Sequence, residues 1–427
     1  MYFLYSVLLG AALVVLLPVY AFKLKLLRKQ RLHLAERLGF KLPAPDPGRA
    51  FLWIHAVSVG EVLSLQNLIH EVKSRHAGWQ VGFSVLTPTG HKVAAAKLRE
   101  VDHLFFVPFD IGWAVRRAFK KLRPRLLVLA ESEFWPRLLR EARRTGCPVL
   151  LVNGRISDRT FRRLRRRRWA ARVLFSNIDG FLVQSGQDRE RMELLGVVPD
   201  RLLVSGNLKC DSRLPSFGAE DIRRFKADLS VPEGKRVVVA GSIHKGEDEM
   251  LLRAFRTARE TRPEVLLVLA PRHPEKFSDF EKSVENDRFV VRRRTRFEPG
   301  QSWDVLLLDT IGELARFYAI ADAAFVGGSL VPWGGQNLLE PAYYGKPVFF
   351  GPHMKNFAAL AGQFVAAGAA RIVREPEELT DLFLFKNPDE NEAMGRKAKT
   401  LLGSLQGATE KTLDAIESYM SHAKPNA

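Results

Sequence analysis

Residues 51–61 read Phe51-Leu52-Trp53-Ile54-His55-Ala56-Val57-Ser58-Val59-Gly60-Glu61. The first seven form an almost unbroken apolar run, the pattern of a strand buried on both faces. Gly60 suits a tight turn out of that strand. From 60 to 75 the period changes, and Val62, Leu65, Leu68, Ile69 and Val72 share one helical face. Strand signals recur at 81–86, 126–130, 149–153 and 180–184, with helical patterns between them. Strands alternating with helices predict parallel βαβ units and a doubly wound α/β sheet.

A second series begins after a loop at 212–235 that is rich in Pro, Gly and charge. Its strands are expected at 236–240, 265–270, 305–309, 323–327 and 347–350. The boundary between two Rossmann-like lobes is expected in the loop, and a long C-terminal helix near 390–421. Two such sheets facing each other would leave a cleft. In open parallel sheets the ligand lies beyond the carboxyl ends of the strands, so residues just after each strand are the candidates for function.

Length and composition agree with this reading. A chain of 427 residues is too long for one ordinary core, and 46% hydrophobic with 26% charged residues is globular. The two cysteines, Cys147 and Cys210, lie far apart in apolar surroundings, which is no disulfide framework and suits a reducing compartment. The net charge of +19 calls for a polyanionic partner: nucleic acid, an anionic membrane or acidic substrates. Residues 1–22 carry no charged side chain, and a helix of that length rises about 30 Å, the hydrocarbon thickness of a bilayer. Lys23, Lys25, Arg28, Lys29 and Arg31 follow, which places the remaining chain in the cytoplasm. A cleaved signal peptide would carry its basic residues before the apolar run. Pro18 interrupts the span and leaves a helix lying in the interface as the alternative.

Strand ends then supply the candidates. Glu61 falls in the first turn of the helix after the first strand. A carboxylate there is favourable in its own right, and it also suits a general base. Glu131 and Glu133 follow the strand at 126–130, and alternation puts them on one side if that strand continues. Lys209, in Gly206-Asn207-Leu208-Lys209, is either solvated surface or a charge that neutralises a leaving phosphate. In the second series Arg272, in Pro271-Arg272-His273, ends a strand where its fork of donors suits a phosphate or a base carbonyl. Ile311-Gly312-Glu313 follows the next strand. The densest signal runs from Phe325 to Pro341. There, two glycine pairs permit close backbone approach, and Asn337 and Glu340 stand at a strand-to-helix junction.

Some chemistry is excluded. No GxGxxG follows the first strand, there is no Walker lysine, and the histidines lack metal-ligand spacing. Arg159, Arg162, Arg163, Arg165, Arg166, Arg167, Arg168 and Arg172 crowd around Phe161, Leu164 and Trp169 without interleaved acids. That run reads as a patch for lipid head groups or lipid phosphates. Nucleic acid fits the charge but not the apolar N-terminus.

Nine segments carry a resemblance: HAVSVGE, LTPTGHK, AESEFWP, VNGRISDRT, SGNLKCD, GSIHKGE, PRHPE, DTIGELARFYAIADAAFVGGS and GGQNLLEPAYYGKPV. Together, in this order and across almost the whole chain, they resemble 3-deoxy-D-manno-octulosonic acid (Kdo) transferases. The resemblance implies a GT-B fold and transfer of Kdo from CMP-Kdo to the lipid A precursor lipid IVA. It also implies a site on the cytoplasmic face of the inner membrane, and inversion without a metal or other cofactor. Glu61 matches the family's general base. Glu131 and Lys209 match residues that stabilise the transition state. Pro271 and Arg272, Ile311 to Glu313, and Asn337, Leu338, Leu339 and Glu340 match segments that hold CMP. One departure is Gln336, where the family often has His; Gln keeps hydrogen bonding but cannot carry charge. Glu36 is read as part of an amphipathic surface helix.

The expected organisation is an anchor at 1–22, a basic segment at 23–50 and an acceptor-binding lobe at 51–212. A linker at 213–235, a CMP-sugar lobe at 236–388 and a C-terminal helix and tail at 389–427 complete it. The competing readings are another GT-B enzyme using a UDP-sugar, and a non-catalytic basic protein that binds membrane or nucleic acid.

Overall fold

The computed structural model describes residues 33–422. The apolar stretch 1–22, where the anchor is expected, lies outside the described residues. Among these, no helix is long and apolar enough to cross a membrane.

The chain divides into two compact units. The first has seven strands, β1 Phe51–Ala56, β2 Gln80–Val85, β3 His103–Phe106, β4 Leu126–Ala130, β5 Val149–Gly154, β6 Gly180–Val183 and β7 Leu202–Val204. All pairs are parallel, in the order β3-β2-β1-β4-β5-β6-β7. β1 is central, with Leu52 opposite Val81 on one side and Leu126 on the other. Its residues are buried on both faces: Phe51 and Trp53 pack into one layer, Leu52, Ile54 and Ala56 into the other. That is why the run at 51–57 does not alternate between apolar and polar.

The second unit repeats the plan with β8 Arg236–Ile243, β9 Val265–Pro271, β10 Val291–Arg293, β11 Val305–Leu307, β12 Ala323–Val326, β13 Val348–Phe350 and β14 Ala370–Ile372. The order is β10-β11-β9-β8-β12-β13-β14, again parallel throughout. In both sheets the order reverses beside the first strand, between β1 and β4 and between β8 and β12. Loops diverge at such a switch point and leave a crevice at the carboxyl ends.

Four strands lie outside the sequence reading: β3, β7, β10 and β14. They are the four sheet edges. The helix expected at 60–75 is two helices, Val59–Ser64 and Gln66–Arg75. The expected linker at 213–235 is largely part of the second unit. Its helix Ala219–Asp228 buries Phe225 against Phe317 and the β8–β9 face.

The single C-terminal helix is likewise two, Pro388–Leu405 and Ala408–His422. Gly407, at φ 99°, breaks it in a conformation that favours glycine. The Asp211 carboxylate accepts from the Gly407 and Thr409 amides there, at 2.8 and 2.5 Å. The division into units follows this break. The chain rejoins the first unit at Leu405, where Leu413, Ile416 and Met420 share a core with Leu150 and Leu182. Cys147 and Cys210 are buried free thiols, and burial pushes Cys210 up to about 12.

Candidate active site

In the first unit, β1 ends one residue before Val57, and Ser58 caps the next helix with its hydroxyl on the Glu61 amide. The Glu61 side chain folds back over that cap. Its carboxylate accepts from the Val57 amide at 2.7 Å and the Ser58 hydroxyl at 2.9 Å. These bonds make Glu61 a buried, fixed side chain at the carboxyl end of the central strand. Burial pushes Glu61 above the usual carboxylate range; the Val57 and Ser58 donors oppose this, and the charge of Glu131 adds to it.

Glu131 comes from β4, across the switch point. The strand does not continue through Glu131 and Glu133, as alternation required. Glu131 itself turns the chain, at φ 50°. Its buried carboxylate meets the Arg155 guanidinium at 2.8 Å and the Lys209 ammonium at 3.6 Å. Lys209 arrives on a short turn after β7, which Asn153 fixes by accepting from the Leu208 amide at 3.1 Å. Glu61, Glu131 and Lys209, far apart in sequence, are thus gathered at one sheet edge.

Two further residues belong to this cluster. Arg155 lies in VNGRISDRT, where no local pattern singles it out; its role shows only through its ion pair. Glu133, named with Glu131 as a strand-end acid, has no role under the family resemblance, yet the structure places it in the same cluster. Its carboxylate accepts from the Trp135 indole N–H at 2.9 Å. Burial, then repulsion from Glu61, pushes it up to about 7. Below it, His55 is fully buried with Nδ1 against Ser84, and burial pushes it down to about 4, so it is neutral.

In the second unit the expected segments also collect at strand ends. Arg272 follows β9. It acts electrostatically on Glu340, which burial pushes up while the Asn337 amide and Arg272 pull it down. Asn337 donates to Glu340 at 3.1 Å and accepts from the Leu339 amide at 3.1 Å. Glu340 is the second residue of the helix Leu339–Tyr343. Leu338 and Leu339 are buried in the core, so the chain there can offer a ligand only its backbone. Ile311 is 83% exposed, Gly312 has φ 94°, and the Glu313 carboxylate is held by Arg294 at 3.3 Å and by the Thr310 hydroxyl.

The glycine-rich loop is tied down from within. Gly327 lies so close to the backbone of Ser242 that a Cβ would stand 2.5 Å from its carbonyl oxygen. Gln336 faces His244, Nε2 to Nε2 at 3.2 Å. An amide nitrogen only donates, so the histidine nitrogen accepts. Consistently, burial and the neighbouring His273 and Arg272 push His244 down to about 4. Trp333, 62% exposed, stacks on the His244 ring.

The arginine run forms the helices Asp158–Arg166 and Arg168–Phe175. All eight arginines are exposed. Phe161 and Leu164 turn towards the core, whereas Trp169 stays 62% exposed among the charges.

The arrangement sets a buried carboxylate of raised basicity near an ion-paired cluster of Glu131, Arg155 and Lys209 in the first unit, and a separate set of polar strand-end residues in the second. Comparison with known proteins shows the family. The family profile described as 3-Deoxy-D-manno-octulosonic-acid transferase (kdotransferase) matches residues 32–212. The 3-deoxy-D-manno-octulosonic acid transferase of Bordetella pertussis is 35% identical over 88% of this chain and 89% of its own. Its namesake from Haemophilus influenzae is 30% identical over 92% of each chain. A solved glycosyltransferase from Rickettsia africae matches with TM-score 0.58 at 11% identity, covering 88% of this chain and 99% of that one. MurG from Acinetobacter baumannii matches with TM-score 0.56 at 16% identity, covering 86% and 99%. These structural likenesses speak for the fold alone, which is GT-B. Relatives at 30 to 35% identity that align with 88 to 92% of the chain decide the family: the protein belongs to the 3-deoxy-D-manno-octulosonic acid transferases.

Proposed function

We propose that the protein transfers Kdo from CMP-Kdo to a hydroxyl of lipid IVA, with inversion and without a metal. The observation that carries this reading is the Glu61 carboxylate, buried at the carboxyl end of β1 and made more basic by burial and by Glu131. Its acid partner in catalysis is the acceptor hydroxyl. The hydroxyl oxygen attacks the anomeric carbon as Glu61 takes its proton, and the bond from that carbon to the phosphate oxygen of CMP breaks. CMP leaves with the electron pair. A single displacement of this kind inverts the anomeric centre.

Lys209, held beside Glu131, supplies positive charge where negative charge develops. Arg272, the backbone at Ile311 to Glu313, and Asn337 with Glu340 receive the CMP portion, with the Glu340 carboxylate suited to a ribose diol. The uncharged stretch 1–22 and the basic residues after it attach the enzyme to the cytoplasmic face of the inner membrane. The exposed arginines around Trp169 face anionic lipid phosphates.

The test is direct. The protein is mixed with CMP-Kdo and lipid IVA and the lipid product is weighed. Addition of Kdo, lost in Glu61→Gln with folding intact, is the expected result. A folded Glu61→Gln that transfers at the wild-type rate would refute the mechanism, and heat protection by UDP but not CMP would refute the donor. Cell fractionation, with residues 1–22 present or deleted, tests the attachment.

A further inference from the structure

Glu247 has no part in the chemistry above, yet it is the most fully engaged carboxylate at the end of either central strand. It opens the helix Glu247–Arg259 after β8 and has no solvent exposure. Oε2 accepts from the His244 amide at 2.9 Å and the Gly328 amide at 2.7 Å. Oε1 accepts from the amides of Ser329 and Leu330, both at 2.9 Å. Four backbone donors from two loops on either side of the switch point therefore converge on one side chain. Successive amides that point inward form a nest for an anion, and such a nest is expensive to bury empty.

The loop that Glu247 holds has a further connection. The Gly328 carbonyl accepts from the Gly335 amide at 2.7 Å, and the Gly327 carbonyl accepts from the Gln336 amide at 3.1 Å. Asn337 and Glu340 follow directly. We infer that Glu247 is a positioning residue for the donor: an internal anion that closes the Gly328–Leu330 nest and so presets the segment Gln336 to Glu340. Two consequences follow. The phosphate of the donor does not use these amides, because they are already taken. The donor segment also needs little reordering on binding, which lowers the cost of capture.

This inference rests on reading 337–340 as donor-binding, and the experiment separates the two. In Glu247→Ala, formate or acetate should raise the melting temperature, while chloride at equal ionic strength should not. Neither should shift the wild type. That arm reads the emptied nest whatever the substrate is. In the second arm, calorimetry with CMP should show affinity in Glu247→Ala reduced about tenfold or more, as expected for a lost charged hydrogen-bond cluster, and partly restored by formate. KM for CMP-Kdo should rise in step while kcat changes little.

A Glu247→Ala protein with wild-type CMP affinity overturns the inference. So does one with weakened affinity that neither small carboxylate restores. If Glu247→Ala does not fold, Glu247→Gln decides: its amide cannot accept all four bonds, so CMP affinity must fall, and unchanged affinity overturns the inference. If wild-type protein ignores CMP but formate still stabilises Glu247→Ala, the donor reading fails and the nest stands.

Discussion

Glu61 and Glu247 occupy corresponding places in the two sheets. Each follows the first, central strand of its sheet, at the point where strand order reverses, in the first turn of the next helix. Burial pushes both carboxyls above the usual range. Their surroundings differ. Glu61 has two side-chain acceptor bonds, from Val57 and Ser58, and the charges of Glu131 and Glu133 for neighbours. Glu247 has four backbone amides. A buried carboxylate with few donors and like charges beside it gains by taking up a proton, which is what a base requires. One that accepts four backbone bonds has its charged form stabilised by each of them, which opposes the rise that burial brings. Under the proposed mechanism, the same topological position serves chemistry in one unit and construction in the other, according to how many donors meet it.

The strongest way to break this contrast is Glu61→Gln. Transfer should fall by about 10²- to 10⁴-fold, the range for loss of a general base, with CMP affinity unchanged. A comparable loss of CMP affinity would mean that Glu61, like Glu247, builds a binding site. Next comes Lys209→Ala, which removes a charge from the Glu131 pair. If Lys209 stabilises the departing phosphate, kcat should drop by about 10²- to 10³-fold while KM for acceptor barely moves. A KM effect alone would reassign it to acceptor binding.

Arg272→Ala probes the second unit. Loss of charged hydrogen bonds there should weaken CMP by about 10- to 100-fold in calorimetry, with a smaller effect on kcat. The smallest effect belongs to Glu133→Gln. Glu133 in the folded protein holds its proton up to about pH 7, whereas the unfolded chain releases it near the ordinary carboxylate value. Between those values the folded state binds more protons, so this group's contribution to stability declines as pH rises. Glu133→Gln should therefore melt higher than wild type at pH 8 and nearly alike at pH 5. Glu61→Gln should lessen the same slope, because burial, the larger cause of the raised Glu133, stays while the second cause, the Glu61 charge, is removed. Parallel melting curves for wild type and Glu133→Gln across that range would show that Glu133 is not raised in the folded protein.

Much of the fold is legible in the order of the residues. The central strands can be read because they are covered on both faces, so Phe51 to Ala56, Leu126 to Ala130 and Val265 to Ala270 must be apolar almost without interruption. The four strands that escape such a reading, β3, β7, β10 and β14, are edges. His103, Leu203, Arg292 and Arg371 in them face partly outward, and three or four residues of mixed character carry no period. The site is legible in part for a related reason. Residues after strand ends must lie at one edge of a parallel sheet, which singles out Glu61, Glu131 and Arg272; Lys209 follows the unread edge strand β7 and is matched only through the resemblance.

Identity and order along the chain thus determined the α/β alternation, the central strands and the edge at which function gathers, since burial on two faces and the carboxyl-end rule act locally. Only the tertiary structure decided which charges meet. The pairing of Arg155 with Glu131, the burial and the Glu61 charge that together raise Glu133, the four amides on Glu247 and the return of the last helix to the first unit all join residues distant in sequence. Their energies depend on distance and burial, which no local pattern records.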